Sequence, residues 1–410
     1  MTKQRIFGLD LIRATAILLV VLHHGFQLLS FHFIPLPDGV DIFFVLSGYL
    51  IGGIIIKSVN KTQLFTFSDL KIFWFRRWFR TLPAYWVTLM LNLILYFFIH
   101  FQGQSIKTTL KLVFLKEKLW EYFFFIQNLF EGMKSSFFSE SWSLSVEEWF
   151  YLILPLLLIA TLKSKLSTKN AILISILGLI LLPMTGRYFL SDIHSSGNWL
   201  PARLLVIMRL DNIGLGVLIS YFQYYKPQQW KNVASKKWIV PLGIIIFYGC
   251  FYLVFKGYNF LNSPTITNLL FYTLTSVGVM MVIPYLSTVM GTGSKFEQVI
   301  TSISLYSYSI YLLNYSLVIG IIKILSPHPA TIMGELFNYI CYLIVTFSGA
   351  FLLYKYVELP FMKFRDEHFS GHTKTVGKSQ IPENQIFVDS VLNSQSNSVI
   401  LQSNFKNQYT

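Results

Sequence analysis

Residues 8–25 read GLDLIRATAILLVVLHHG. A bilayer-crossing helix takes about 20 mostly apolar residues, and this stretch, extended to about residue 30, meets that length. It nevertheless carries Arg13, His23 and His24. An ionisable side chain inside a span is costly and marks a functional position by default. No small-residue cleavage pattern follows, so the stretch reads as a retained span and not as a signal peptide. Arg13 and His24 are eleven residues apart. At about 100° per residue they come back to within about 20° of one helix face, about 16 Å apart along the axis. His23 lies about 100° round the helix.

The rest of the chain agrees with a membrane reading. Of its 410 residues 54% are hydrophobic and only 13% are Asp, Glu, Lys or Arg, about half the usual charged share of a soluble domain. Too few charges remain to coat a water-facing surface, which excludes a soluble enzyme. The 38 Phe, 23 Tyr and 9 Trp demand burial and exclude a disordered chain. Continuous apolar runs exclude a porin-like barrel, whose strands alternate. The fold class expected is an all-α polytopic membrane protein with about ten transmembrane helices. The spans fall near 8–30, 40–57, 83–101, 146–162, 170–189, 201–225, 238–256, 264–288, 303–324 and 329–356. Residues 108–130 are apolar but broken by Lys111, Lys116, Glu117, Lys118 and Glu121, and read as an interfacial or re-entrant piece.

Charge fixes the expected orientation. The 33 Lys+Arg against 19 Asp+Glu leave +14. With the N-terminus inside, 21 of the basic residues fall on inner segments and 8 on outer ones, Arg187 among the latter. Positively charged loops stay cytoplasmic, so both termini are expected inside a bacterial inner or plasma membrane. The excess is then a topology signal facing anionic lipid, and no nucleic-acid partner is expected. Residues 1–365 form the membrane domain. Residues 366–410, rich in Ser, Asn and Gln, are expected to be a disordered cytoplasmic tail. Cys250 and Cys341 lie in separate apolar runs and make neither a disulfide framework nor a CxxC metal site.

The other charges inside apolar segments are few. FWFRRWFRTLP, residues 73–83, brings Arg77 and Arg80 to i,i+3 and Arg76 and Arg80 to i,i+4. Guanidinium forks match phosphate oxygens, so the cluster is a candidate grip for a polyphosphate donor at the cytoplasmic face. The competing reading is a positive-inside anchor on anionic lipid. SWSLSVEEWFYLILP, residues 141–155, places Glu147 and Glu148 at the outer opening of the fourth span, where the helix dipole favours a carboxylate. One acid can cap while the other reaches inward; both can equally be caps. In the sixth span Arg209 and Asp211 lie too deep to be unpaired, and i,i+2 side chains do not face each other. Asp41 either orients His24 or pairs with Arg209. For His24 the readings are a general base, which takes a hydroxyl proton near neutral pH, or a histidine that only bonds a neighbouring helix.

In this order, on these spans, the motifs resemble the integral-membrane acyltransferase family 3, which O-acylates surface sugars. The resemblance covers residues 6–362. It is carried by Arg13-x10-His24, DGVDIFFVLSGYLI (38–51), Arg77-x-x-Arg80-x-x-Pro83, SWSLSVEEWFY with Glu147, RLDNIGLG (209–216), YSYSIYLLNY and YVELPF. Many members carry a His where this chain has Asn314, which leaves His24 as the base. The resemblance implies no permanently bound cofactor and no metal. It implies an acyl-CoA donor, usually acetyl-CoA, taken from the cytoplasm, and a carbohydrate acceptor on the outer side, direct or through a separate extracytoplasmic transferase. His24, Arg13 and Glu147 would be catalytic, Arg76, Arg77 and Arg80 would hold the donor, and Asp41, Arg209 and Asp211 would bind substrate or support the bundle. The rival is a secondary transporter or flippase of a lipid-linked sugar, for which the sequence shows no convincing inverted repeat. A bare lipid-binding scaffold leaves the buried Arg and His unexplained.

Overall fold

The computed structural model describes residues 5–30, 36–62, 65–100, 118–130, 137–190, 203–326, 329 and 331–368. Among these residues every regular element is helical, as the bilayer requires of a chain that must satisfy its own backbone polar groups. The order is α1 (Phe7–Gly25), α2 (Gly39–Thr62), α3 (Phe67–His100), α4 (Leu119–Phe123), α5 (Ser141–Leu162), α6 (Thr168–Leu190) and α7 (Leu210–Tyr225). It continues with α8 (Pro227–Ala234), α9 (Ile239–Phe255), α10 (Pro264–Leu286), α11 (Lys295–Leu313), α12 (Gly320–Leu325), α13 (Ile332–Leu353) and α14 (Leu359–His368). Two π-helical segments, Asn314–Ile319 and Tyr354–Glu358, join α11 to α12 and α13 to α14. Such bulges are rare and concentrate at functional sites.

The molecule is a multi-pass membrane protein. Among the described residues eight helical stretches are long and apolar enough to cross a bilayer, and α8 with α9, bent by 82°, makes up to nine. The span expected over 201–225 is represented by α7, with 16 residues. At 1.5 Å per residue α7 is about 24 Å long, short of the ~30 Å hydrocarbon core. Of the piece expected over 108–130, residues 118–130 are described and include only the short α4; 108–117 lie outside the described residues. The expected tail lies outside them from 369 onward, and α14 runs to His368.

Two pairings set the bundle. Helices α1 and α11 run parallel, with Arg13 against Ser304 and His24 against Asn314. Helices α2 and α7 also run parallel and pack at glycine distance. A Cβ built on Gly48 would sit 2.0 Å from the Ile213 carbonyl oxygen, and one on Gly216 would sit 2.1 Å from that of Val45. Without a hydrophobic driving force between helices in lipid, this close backbone approach is what holds such a pair. Gly39 at the start of α2 meets Ala16 and Val20 of α1, whereas Leu50 reaches the level of Leu9 and Arg13. Helix α2 therefore runs antiparallel to α1. The end of the bundle that holds the start of α1 is called basal below, and the end that holds His24 distal.

Helix α3 changes the reading of its arginines. It is one helix of 34 residues, with the FWFRRWFR segment inside it and not ahead of it. Helix α5 begins at Ser141 near the distal end, with Ser143 against Tyr311. Glu147 and Glu148 therefore lie two turns down the helix and do not cap its distal end. Glu148 accepts hydrogen bonds from Trp78 Nε1 at 3.2 Å and Thr81 Oγ1 at 3.0 Å, so it ties α5 to α3 at the arginine level.

Candidate active site

The face shared by Arg13 and His24 is turned toward α11. Ser304 Oγ lies 3.5 Å from Arg13 Nη1 and donates to Asp10 Oδ1 at 2.8 Å. Asp10 also takes Arg5, whose Nη2 donates to Oδ1 at 2.6 Å. Arg13 is thereby fixed from both sides by α1 and α11.

Below the distal layer lies a cavity of about 110 Å³ whose lining includes Arg13, Arg77, Arg80, Glu147, Tyr151 and Tyr308. That is room for several waters. Four separate helices, α1, α3, α5 and α11, contribute these six side chains. Glu147 accepts from Tyr151 Oη at 3.2 Å, and Arg80 and Arg77 are its cationic neighbours. Arg77 Nε is buried with no hydrogen-bond partner among the described residues, a donor left over beside a polar cavity. A second cavity shares Arg13 and Arg80 and opens basally past Arg5, Asp10, Ser304 and Glu358. Arg76 points elsewhere. It is about a third exposed and lies 4.0 Å from Asp366 of α14, so the three arginines do not form one grip; two of them face the cavity.

At the distal end the histidine chemistry is set by Asn314, the first residue of the π-helical segment. Asn314 Nδ2 donates to the carbonyls of Ile310 at 3.1 Å and Tyr311 at 2.7 Å. Both amide hydrogens are then in use, which assigns Oδ1 as the atom 2.6 Å from His24 Nδ1. An amide oxygen only accepts, so Nδ1 carries the proton and Nε2 keeps the lone pair. The Tyr315 ring lies 4.4 Å from the imidazole, centroid to centroid. Beside them, ahead of α2, Asp38 pairs with Arg203. Burial raises the Asp38 carboxyl, and the Arg203 guanidinium outweighs this and holds it below its ordinary value. The cavity lining reaches Ser143 and Tyr311 but not His24. Tyr311 Oη, 2.7 Å from Ser143 Oγ and donating to Glu140 O at 3.0 Å, stands one turn before Asn314 and separates the two layers.

The family described as an acyltransferase domain matches residues 6–355. The chain belongs to the acyltransferase 3 family. Among similar proteins are O-acetyltransferase OatA of Staphylococcus aureus strain NCTC 8325 and OatA of strain COL. Each is 27% identical over 389 residues, covering 90% of this chain and 59% of the relative. The chain thus spans under two thirds of the length of the curated relatives it matches. No solved structure matches it.

Within this acyltransferase 3 domain Asp41, Arg209, Arg187 and Asp211 form two buried ion pairs away from the cavity. Asp41 bonds Arg209 and does not reach His24. The Arg209 guanidinium lies 3.9 Å from the Tyr272 ring centroid. Asp211 receives Arg187 at 2.6 and 2.9 Å. Neither pair lines the cavity, so they hold α2, α6 and α7 together. Arg187, counted from sequence with the outer-segment charges although it falls within the span expected over 170–189, is fully enclosed in the bundle. The sequence reading also passed over Asp10, Asp38, Glu140 and Glu358. All four stand inside or directly beside motifs that were read, and their partners, Ser304, Arg203, Ser316 and Ser309, are far away in sequence. Among the described residues no three His, Cys, Asp or Glu side chains gather as a metal site.

Proposed function

We propose that this chain is a bacterial membrane O-acetyltransferase that moves an acetyl group from acetyl-CoA, taken from the cytoplasm, to a hydroxyl of a cell-surface or lipid-linked carbohydrate. The observation that carries the reading is the convergence of Arg13, Arg77, Arg80 and Glu147 on one cavity beneath a histidine whose tautomer is fixed for accepting a proton. The basal end, where inner basic segments were counted, would be cytoplasmic.

On this reading Arg77 and Arg80 bind donor phosphates as charge-assisted forks, with the unpartnered Arg77 Nε available to an incoming oxygen. The acyl arm passes Arg13 and moves Tyr311 aside to reach His24. His24 Nε2 takes the proton of the acceptor hydroxyl as its oxygen attacks the thioester carbon. The C–O bond forms, the C–S bond breaks, and the proton passes from His24 to the departing CoA thiolate. Arg13, on the donor path about 16 Å along α1 from His24, would bind the donor arm as it passes and stands too far from His24 to meet the thioester oxygen there. Glu147, at arginine level, orients Tyr151 and the arginines, and does not meet sugar at an outer mouth.

The test is equilibrium binding of labelled acetyl-CoA to purified protein in lipid nanodiscs. The account expects saturable binding competed by CoA and weakened in Arg77→Gln and Arg80→Gln. A sugar transporter or flippase would show no specific binding, and that result would overturn the reading.

A further inference from the structure

Away from the candidate active site, the basal ends of α7 and α10 and the bent α8–α9 pair enclose a groove of about 490 Å³. That is within the ~300–1,000 Å³ range of small-molecule sites. Its walls are nearly wholly apolar and include Leu218, Phe222, Val233, Met280 and Met281. The groove exists because α8 turns through 82° into α9 and lies across the helix ends instead of continuing them.

Two observations say what fills it. The first is charge. Lys226, Lys231, Lys236 and Lys237 are all exposed around α8, and the sequence has no Asp or Glu between Asp211 and Glu297. The rim is therefore cationic with no acid nearby in the chain to neutralise it, which suits an anionic headgroup at a membrane surface. The second is an unpartnered donor. Trp230 lines the groove, is 5% exposed, and its Nε1–H has no hydrogen-bond partner among the described residues. A buried indole N–H left unpaired is costly and calls for an acceptor from an occupant. The Trp230 ring is held in place by stacking on Tyr49, 6.2 Å between centroids and 14° between planes.

We propose that this groove is a binding site for one anionic phospholipid. One acyl chain lies between α7 and α10, an ester carbonyl accepts from Trp230 Nε1, and the phosphate headgroup rests among the four lysines. Exposed Trp238, next after Lys237, sits where an aromatic ring marks the lipid–water boundary. The bound lipid pins α8 against the bundle. The site does not depend on the acyl-transfer reading, since it shares no residue with the cavity of Arg13 and Arg77.

Native mass spectrometry of the full chain, released from nanodiscs of equimolar phosphatidylglycerol and phosphatidylcholine, tests it. Wild type should retain one phosphatidylglycerol in preference to phosphatidylcholine. The surface variant Lys231→Gln/Lys236→Gln/Lys237→Gln should lower the retained anionic lipid by about tenfold or more. Met281→Trp, which fills the groove, should lose it, and Trp230→Phe should retain less with the stacking on Tyr49 preserved. A thermal melt shows that each variant is folded. Equal retention of the two lipids by wild type, or unchanged retention in the triple lysine variant, overturns the proposal and marks boundary lipid only.

Discussion

Replacing Asn314 by leucine removes the hydrogen-bond partner of His24 Nδ1 while keeping side-chain volume. In the wild type the amide oxygen is 2.6 Å from Nδ1, in a buried position where an unmade hydrogen bond costs about 1–3 kcal/mol. If that energy appears in the transition state, kcat falls by roughly 5- to 140-fold, at about 1.4 kcal/mol per decade. The full contribution of a general base, about 10²- to 10⁴-fold, sets the upper limit. The acetyl-CoA KM should stay within about twofold, because Asn314 is not among the residues lining the arginine cavity. Asn314→Asp keeps an acceptor for Nδ1–H but cannot donate to Ile310 and Tyr311, so it should lie between wild type and leucine. The assay is steady-state acetyl transfer by protein in nanodiscs, with a melt of each variant. A leucine variant with wild-type kcat and an unchanged melt would refute the argument that Asn314 sets the tautomer.

Four further outcomes follow from the geometry. Arg77→Gln should raise the acetyl-CoA Kd about tenfold or more, the loss of a charge-assisted bond worth roughly 1.5–3 kcal/mol, while Arg76→Gln, turned to Asp366, should change it less than about twofold. Arg187→Met strands the buried Asp211 and should cost about 3–5 kcal/mol of stability, and adding Asp211→Leu should recover most of it; both are read by chemical denaturation in detergent. Gly48→Val must push the α2 backbone off the Ile213 carbonyl and should destabilise by about 1–3 kcal/mol. The depressed Asp38 carboxyl gives the native state a stability that is fully present above its unfolded pKa, about 3.9, and is lost as pH falls through the lower native value. Melts between pH 7 and 3 should therefore show a late acid loss that Asp38→Asn abolishes.

Much of this was legible before the structure, and the misses share a cause. A scarcity of charge identified the class, and the eleven-residue spacing of Arg13 and His24 placed both toward one neighbour, α11. Helix ends were harder to read, because in an apolar sequence nothing polar marks where a helix starts. Helix α5 begins several residues before the edge drawn at 146, which moved Glu147 from an outer mouth to the arginine level. Helix α3 begins before its arginines, so its register turns Arg76 away while Arg77 and Arg80 face inward. Partners distant in sequence were beyond reach. The choice for Asp41 between His24 and Arg209 fell to Arg209, and Arg187 was taken for a loop charge although it sits opposite Asp211. The departure at Asn314 was read as a missing histidine; the fold makes it the residue that holds the remaining one.

The most direct test of the account is single-turnover transfer of labelled acetyl from acetyl-CoA to a glycan acceptor, comparing wild type with His24→Ala in the same nanodiscs. Transfer should fall by about 100-fold or more while acetyl-CoA binding stays as in wild type, because His24 does not line the donor cavity. Transfer at the wild-type rate by His24→Ala would contradict it.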